Sequence, residues 1–322
     1  MTTWGIISTA DINRKVIPGA KASPEVDLIA VASRDQSRAE DYAREWEIER
    51  AYGSYEALLA DPDVEAVYIS LPNTMHCEWS IRAVEAGKHV LCEKPLSRNP
   101  ADVEAAFDAA DRAGRILSEA FMYRHNPQTA KLRQLLDDGA IGEPRLIRSA
   151  FSYSLYDSDN IRLRTDVEGG ALMDVGCYCV SSSRFAAGAE PLSVYGQAWF
   201  GETGTDWVFT GSIRFPGDLL AIFDCGTALP NRDELEIYGS DGSLFLDDPF
   251  HANVPVIEIR RDSEVELVEL EPVGVLALEL ENVGRAIRGE AELLLGREDA
   301  VAQARALEAL HRSAETGEAV AL

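Results

Sequence analysis

The sequence predicts an α/β protein: an N-terminal doubly wound parallel sheet of the Rossmann type, followed by an α+β domain on a large, mostly antiparallel open sheet. Three observations carry this prediction. Over roughly the first 120 residues, short apolar runs alternate with helical patterns, which is the rhythm of parallel βαβ units. From about Met122 the rhythm changes to strands in succession, joined by turns such as Pro216-Gly217-Asp218 and Ser240-Asp241-Gly242-Ser243. The 322 residues, 46% of them hydrophobic, suffice for about two domains with a core each. The division expected is 1–122 for the parallel-sheet domain and 123–322 for the α+β domain.

The first strands are expected at 3–7, 27–33, 64–70, 88–92 and 116–120, rich in Val, Ile and Leu as strands covered on both faces should be. The bend after the first reads Gly5-Ile6-Ile7-Ser8-Thr9-Ala10-Asp11-Ile12. Dinucleotide sites put glycines at such a bend so that backbone N–H groups can meet a pyrophosphate, and here Ser8 and Ala10 stand where two glycines are usual. Both are small enough for close approach, and Ser8 or Thr9 could add a hydroxyl donor; a plain strand-to-helix turn fits the same letters. The second strand ends in Ala32-Ser33-Arg34-Asp35, about 20 residues past the bend, where an acid would bind a ribose 2′-hydroxyl and an arginine a 2′-phosphate. Position favours Arg34 and hence NADP, with Asp35 keeping NAD open; a guanidinium–phosphate bond is worth about one to two orders of magnitude in affinity.

The strand at 64–70 runs into Leu71-Pro72-Asn73-Thr74-Met75-His76, a proline turn and a polar helix start that Thr74 can cap. The strand at 88–92 ends in Glu93-Lys94-Pro95. In an open α/β sheet that edge is where ligands bind, and the chain has only five lysines (Lys15, Lys21, Lys88, Lys94 and Lys131) among thirty basic residues. Lys94 is therefore the first residue to explain, with Asn73 and His76 on the same edge. Asn99-Pro100 and Asn126-Pro127 each start a helix, Asn capping and Pro pre-setting φ in the first turn. Strands then follow at 145–154, 192–200, 207–215, 218–224, 234–239 and 256–260, with helices around 170–187 and 275–314 to cover one face of their sheet. The other face meets water or a second subunit.

Composition excludes several function classes. A net charge of −25 repels nucleic acid and anionic membranes over most of the surface. No apolar stretch approaches the ~20 residues that span a bilayer, and Met1-Thr2-Thr3-Trp4 runs straight into a strand, so a soluble, cytoplasmic protein is expected. Five cysteines without metal-ligand spacing read as reduced core thiols, and no metal is expected.

Taken together, the first strand and turn, Pro72-Asn73-Thr74-Met75-His76, Ala86 to Pro95 around Glu93-Lys94-Pro95, and Gly169-Gly170-Ala171-Leu172-Met173-Asp174-Val175-Gly176-Cys177-Tyr178 resemble the glucose-fructose oxidoreductase / inositol dehydrogenase / MocA family over nearly the whole chain. Glu119-Ala120-Phe121-Met122-Tyr123-Arg124 is similar to the branch that holds dimeric dihydrodiol dehydrogenases and NADP-dependent D-xylose dehydrogenases. The resemblance implies a nicotinamide oxidoreductase acting on a sugar or another polyhydroxylated ring. Lys94 would hydrogen-bond the reacting oxygen. Tyr178, at a place where many family members carry histidine, would move the proton, with the Lys94 ammonium easing its ionisation. Asp174, one helical turn earlier, would share a face with Tyr178 and orient the substrate or Lys94.

The cofactor is expected to meet Ser8, Thr9, Ala10, Asp11, Ile12, Ser33, Arg34, Leu71, Asn73, His76, Glu93 and Lys94. The substrate is expected to meet Arg124, Tyr153 and Arg162, with His125 and Asn160 as similar candidates; a solvated loop also fits the segment 157–164. Ala10 in place of glycine puts the pyrophosphate contact in question. A D-xylose-like aldose 1-dehydrogenase is the expected activity, and homodimers or homotetramers through the C-terminal sheet are what the resemblance favours. The alternatives are a trans-dihydrodiol dehydrogenase, a keto- or anhydro-sugar reductase, and a non-catalytic dinucleotide-binding sensor.

Overall fold

In a computed structural model that describes residues 1–155, 157 and 159–322, the chain forms two units. One is Met1–His125 with Gly274–Val301, and the other is Asn126–Val273 with Ala302–Leu322.

The first unit alternates β1 (Thr2–Ile7), α1 (Asn13–Ala22), β2 (Val26–Ala32), α2 (Gln36–Glu45), β3 (Arg50–Tyr52), α3 (Tyr55–Leu59), β4 (Ala66–Ile69), α4 (His76–Glu85), β5 (His89–Glu93), α5 (Pro100–Ala113) and β6 (Leu117–Ala120). The sheet order is β3-β2-β1-β4-β5-β6, with parallel pairing between each pair of neighbours. This is the doubly wound arrangement, and its order reverses between β1 and β4, where such sheets open a ligand crevice at the strands' carboxyl ends. Buried Trp4, Ile6, Val31, Tyr68 and Leu91 pack under Val16, Ile17 and Ala20 of α1 and Tyr42 and Ala43 of α2. Helices α3, α4 and α5 lie against the same strands. Asn99 and Asn126 cap as predicted, accepting from Ala101 N and Gln128 N. Thr74 does not cap: a short 3₁₀ turn, Asn73–Met75, precedes α4, and neither has a side-chain cap.

The second unit contains α6 (Pro127–Asp137), β7 (Pro144–Ser154), α7 (Cys177–Ala187), β8 (Ser193–Phe200), β9 (Asp206–Arg214), β10 (Leu220–Gly226), β11 (Ala228–Gly239), β12 (Ser243–Asp247), β13 (Val256–Arg261) and β14 (Glu264–Glu269). After α8 (Val275–Ile287) the chain continues into α9 (Arg297–Thr316) and ends in β15 (Val320–Ala321). The nine strands run β14-β13-β12-β11-β7-β10-β9-β8-β15, antiparallel except where β10 pairs with β7 in parallel. Strands β7, β9 and β10 bury Ile147, Phe209, Ile213, Ala221 and Phe223, while Leu220 and Ile222 on β10 stay exposed. Alternation with period 2 produces that division.

Two differences from the sequence reading have clear causes. The helices expected around 275–314 to cover the second sheet are two, α8 and α9, separated at residues 288–296, and α8 instead packs with Leu280 and Val283 into the core of the first unit. A division of the chain at one point therefore misses a segment that returns. The helix expected over 170–187 opens as a π-helix, Leu172–Gly176, before α7. Gly170 has φ +125°, and Asp206 Oδ2 accepts from Leu172 N at 2.7 Å, which fixes the start of the turn. Gly176 lies flush against Cys225, where a Cβ would stand 2.7 Å from the sulfur.

Candidate functional site

In the first unit the strand ends at the order reversal gather a set of polar groups. Ser8 ends β1 with φ +108°, a conformation that glycine adopts freely and other residues rarely do. The place where a glycine is usual thus keeps a glycine-like backbone. Three hydroxyl contacts hold it: Ser8 Oγ donates to Ser70 O at 2.9 Å, across the β1/β4 junction, lies 2.9 Å from Ser70 Oγ, and accepts from Ala10 N at 3.1 Å. Asn13 Nδ2 ties Ser8 O to the start of α1 at 2.9 Å. Thr9 and Ala10 are half-buried and Asp11 is exposed; Ile12 occupies the helix start, which has no side-chain cap. The first turn of α1 carries no acid, and the exposed Asp11 just ahead of it lies 3.6 Å from the Arg14 guanidinium.

At the end of β2, Ser33 is buried and bonds Tyr52 O through its N–H at 2.9 Å. Asp35 is committed to the N-cap of α2, accepting from Arg38 N at 2.8 Å and Ser37 Oγ at 2.7 Å, bonds that hold its carboxyl below the usual range. Arg34 is exposed, and so is Arg38, in the first turn of α2. The sequence reading passed over Arg38; its position at the start of α2, four residues after Arg34, was the available signal.

Beyond β4, Leu71 and Asn73 lie on the same edge as Ser70, and His76 is 1% exposed with both ring nitrogens against backbone carbonyls, Leu71 O at 2.7 Å and Pro95 O at 2.8 Å. Its ring is spent within the protein rather than presented to a ligand. At the end of β5, Glu93 accepts from Tyr68 Oη and, at 3.3 Å, from Lys94 N. The Lys94–Pro95 bond is cis. Buried Glu119, part of the motif after β6, accepts from Leu96 N at 2.7 Å and so anchors the turn that carries Lys94. Arg124 pairs with Asp299 at 3.3 Å, and His125 is pushed down to about 4 by burial and by Arg124, so it stays neutral at pH 7.

The second unit brings Tyr153, Arg162 and Asp174 together. Asp174, in the π-helical turn, has Oδ2 2.5 Å from Tyr153 Oη and Oδ1 2.9 Å from Arg162 Nε. Burial and the Asp174 charge push the Tyr153 phenol far above its ordinary range, so it remains a donor. Asn160 Oδ1 caps Arg162 N at 3.1 Å; residue 158 of that segment lies outside the described residues. Tyr178, on the first turn of α7, is 7% exposed. Its ring packs edge-on against Phe151 (5.3 Å) and at a tilt against Phe250 (5.3 Å). Phe151 lies two residues before Tyr153, on the same face of β7, and that period-2 alternation was the missed signal for it. His251 closes the row, edge-on to Phe151 at 5.6 Å, with Nδ1 2.8 Å from Asp233 Oδ2. Asp233, Asp248 and His251 form, among the described residues, the group of donors that comes within 4.8 Å of one another; the His251–Asp233 hydrogen bond accounts for that approach. Among the described residues no helix is long and apolar enough to cross a membrane.

Comparison with known proteins adds to this geometry. Residues 2–121 match the model of an oxidoreductase family with an NAD-binding Rossmann fold, and residues 129–245 match a GFO/IDH/MocA C-terminal domain. The chain is 37% identical to D-xylose 1-dehydrogenase (NADP(+)) 2 of Haloferax volcanii over 99% of each chain. It is similar in structure to an aldose-aldose oxidoreductase from Caulobacter crescentus (TM-score 0.93, 25% identity, 100% of this chain and 99% of that one). It is also similar to a 3-ketoreductase from Actinomadura kijaniata in complex with NADP and TDP-benzene (TM-score 0.91, 31% identity, 97% of each).

Proposed function

Because the chain belongs to the GFO/IDH/MocA oxidoreductase family, and so is an oxidoreductase with an NAD(P)-binding Rossmann domain, we propose that it is an NADP-dependent dehydrogenase of a sugar or related polyhydroxylated ring, best an aldose of the D-xylose type oxidised at C1. The carrying observation is Lys94 at the end of β5, on the same sheet edge as the Ser8 bend and the exposed Arg34.

The residues of that edge fit a dinucleotide. The positive φ of Ser8 lets the backbone of the bend approach a pyrophosphate, the first turn of α1 carries no acid, and Arg34 is exposed while Asp35 is spent on a cap. Ser8 to Ile12 would hold the phosphates, Ser33, Arg34 and Arg38 the ribose end, and Leu71, Asn73 and Glu93 the line toward Lys94. When bound, the nicotinamide supplies or accepts the hydride. Lys94 donates a hydrogen bond to the reacting oxygen and stabilises the negative charge that grows there. Tyr178 takes the hydroxyl proton on oxidation and returns it on reduction. Asp174, held by Tyr153 and Arg162, orients the ring, and Arg124 is the further candidate for its hydroxyls. Exposed Leu220 and Ile222 favour the outer face of the large sheet as the surface for a homodimer or homotetramer.

A reductase of a keto- or anhydro-sugar is the second reading, supported by the likeness to the 3-ketoreductase, because the same groups run the reaction in reverse. The test is the initial rate with NADP and with NAD across aldoses, inositols and trans-diols, followed by absorbance of the reduced nicotinamide. Turnover with an aldopentose and NADP is expected. Turnover confined to trans-diols overturns the sugar assignment. Silence across the panel with NADPH still bound overturns the dehydrogenase reading, in favour of a keto-sugar reductase or of a redox sensor.

A further inference from the structure

His76 is 1% exposed, and each of its ring nitrogens faces a backbone carbonyl: Nε2 lies 2.7 Å from Leu71 O and Nδ1 lies 2.8 Å from Pro95 O. A carbonyl oxygen only accepts. A neutral imidazole has one N–H and one bare nitrogen, so it can satisfy one of these carbonyls and must turn a lone pair on the other. At such a distance two lone pairs repel, and a neutral ring would force one carbonyl away. Only the imidazolium, with two N–H donors, makes both contacts attractive.

We infer that His76 is an imidazolium in this conformation, clamping the turn after β4 to the turn after β5 and thereby positioning Lys94. The two carbonyls belong to the turns that follow neighbouring strands, which pair at Ile69↔Cys92, and the second is that of the residue next to Lys94. The clamp acts within the first unit and joins Glu119, which anchors Leu96 N, as a second tie on the same short loop.

The opposing forces are visible. Burial, the largest of them, and the Lys94 ammonium pull the imidazole below its ordinary value, and the two carbonyls pull the other way. Among the groups that face the ring, Lys94 is the charged one; on its own helix Cys77 Sγ turns to Leu96 O, and Glu78 is paired with Arg82 on the exposed side. No carboxylate is needed, because short bonds from a cationic donor to carbonyls are among the stronger neutral-acceptor bonds. An imidazolium here also puts a buried positive charge beside Lys94, in a chain of net charge −25, on the edge proposed for an anionic cofactor. The charge state stands on the geometry alone; its consequence for Lys94 rests on the function proposed above.

The test is a long-range ¹H–¹⁵N spectrum of the full chain labelled with ¹⁵N-histidine, which has five histidines to resolve. The resonances lost in His76→Gln are expected to show protons on both ring nitrogens at pH 7. If that variant does not fold, replacing His89, His125, His251 and His311 one at a time assigns His76 by elimination. One protonated and one bare nitrogen at pH 7 overturns the inference, whatever the enzyme turns over. For the positioning role, His76→Gln is expected to lower kcat about ten- to hundredfold while NADPH affinity is retained. An unchanged kcat beside a demonstrated imidazolium overturns that role.

Discussion

Tyr153 Oη donates to Asp174 Oδ2 at 2.5 Å, while Arg162 holds the other oxygen of the same carboxylate. The carboxylate is thus fixed from two sides before any substrate arrives, which is how a group meant to orient another molecule is built. Asp174→Asn keeps the size and loses the charge, leaving Arg162 without its counter-ion. We expect kcat/KM to fall about a hundredfold with the melting temperature within a few degrees of the parent. Tyr153→Phe, which removes one bond, should cost about tenfold. Equal activity of Asp174→Asn and the parent enzyme would remove Asp174 from the site.

Because the Tyr153 phenol is pushed far above its usual range, it contributes no titration between pH 6 and 9. The alkaline limb of the kcat/KM profile should be the same in Tyr153→Phe as in the parent. A limb that moves in this variant contradicts the assignment.

Ser8 combines a strained φ with three hydroxyl contacts. Glycine relieves the strain and loses the contacts, two effects of about 1–3 kcal/mol each that largely cancel. Alanine keeps the strain and loses the contacts. Urea unfolding should therefore rank the parent and Ser8→Gly close together, with Ser8→Ala lower by about 1–3 kcal/mol. Ser8→Ala as stable as Ser8→Gly would show that the backbone there is not strained.

Arg34 and Arg38 are both exposed, and Asp35 between them is turned to its cap. Arg34→Ala should weaken NADPH binding by about one to two orders of magnitude and leave NADH binding nearly unchanged, as read by fluorescence titration. Equal losses for both cofactors would move the phosphate contact elsewhere.

Glu279, on α8, is 2% exposed, and burial pushes its carboxyl well above the ordinary range, with Glu93 adding to the effect. The folded state keeps the proton that the unfolded chain releases above the ordinary carboxyl value of 4.5, so stability drops as pH rises from there toward the folded value, by up to about 1.4 kcal/mol per pH unit. Glu279→Gln removes that dependence. The variant should gain on the parent in urea unfolding between pH 5 and pH 8, and a constant difference across that range would contradict the account.

The parallel sheet was legible because strands covered on both faces are nearly continuous apolar runs; β3 was not, since three half-buried residues, Arg50–Tyr52, carry no such run. In the second sheet the missed strands are short or at the rim: β12 has five residues, β15 two, and β14 is an edge strand with Glu264, Glu266 and Glu269 among its six. The Lys94 turn could be read from local letters, since a strand end and a proline define it. The π-turn under Asp174 could not, because Asp206 fixes its start at Leu172 from 34 residues away along the chain, and α- and π-helices share one sequence pattern. That Asp35 turns to a capping bond at α2 could not be read either, because neighbouring letters permit such a bond without requiring it.

The central claim is that Lys94 holds the reacting oxygen. Turnover of Lys94→Met, compared with the parent on the best substrate of the panel, tests it most directly when NADPH affinity and melting temperature are measured on the same preparation. The account predicts a loss of at least about a hundredfold in kcat, with both other quantities nearly unchanged. Retained turnover would contradict it.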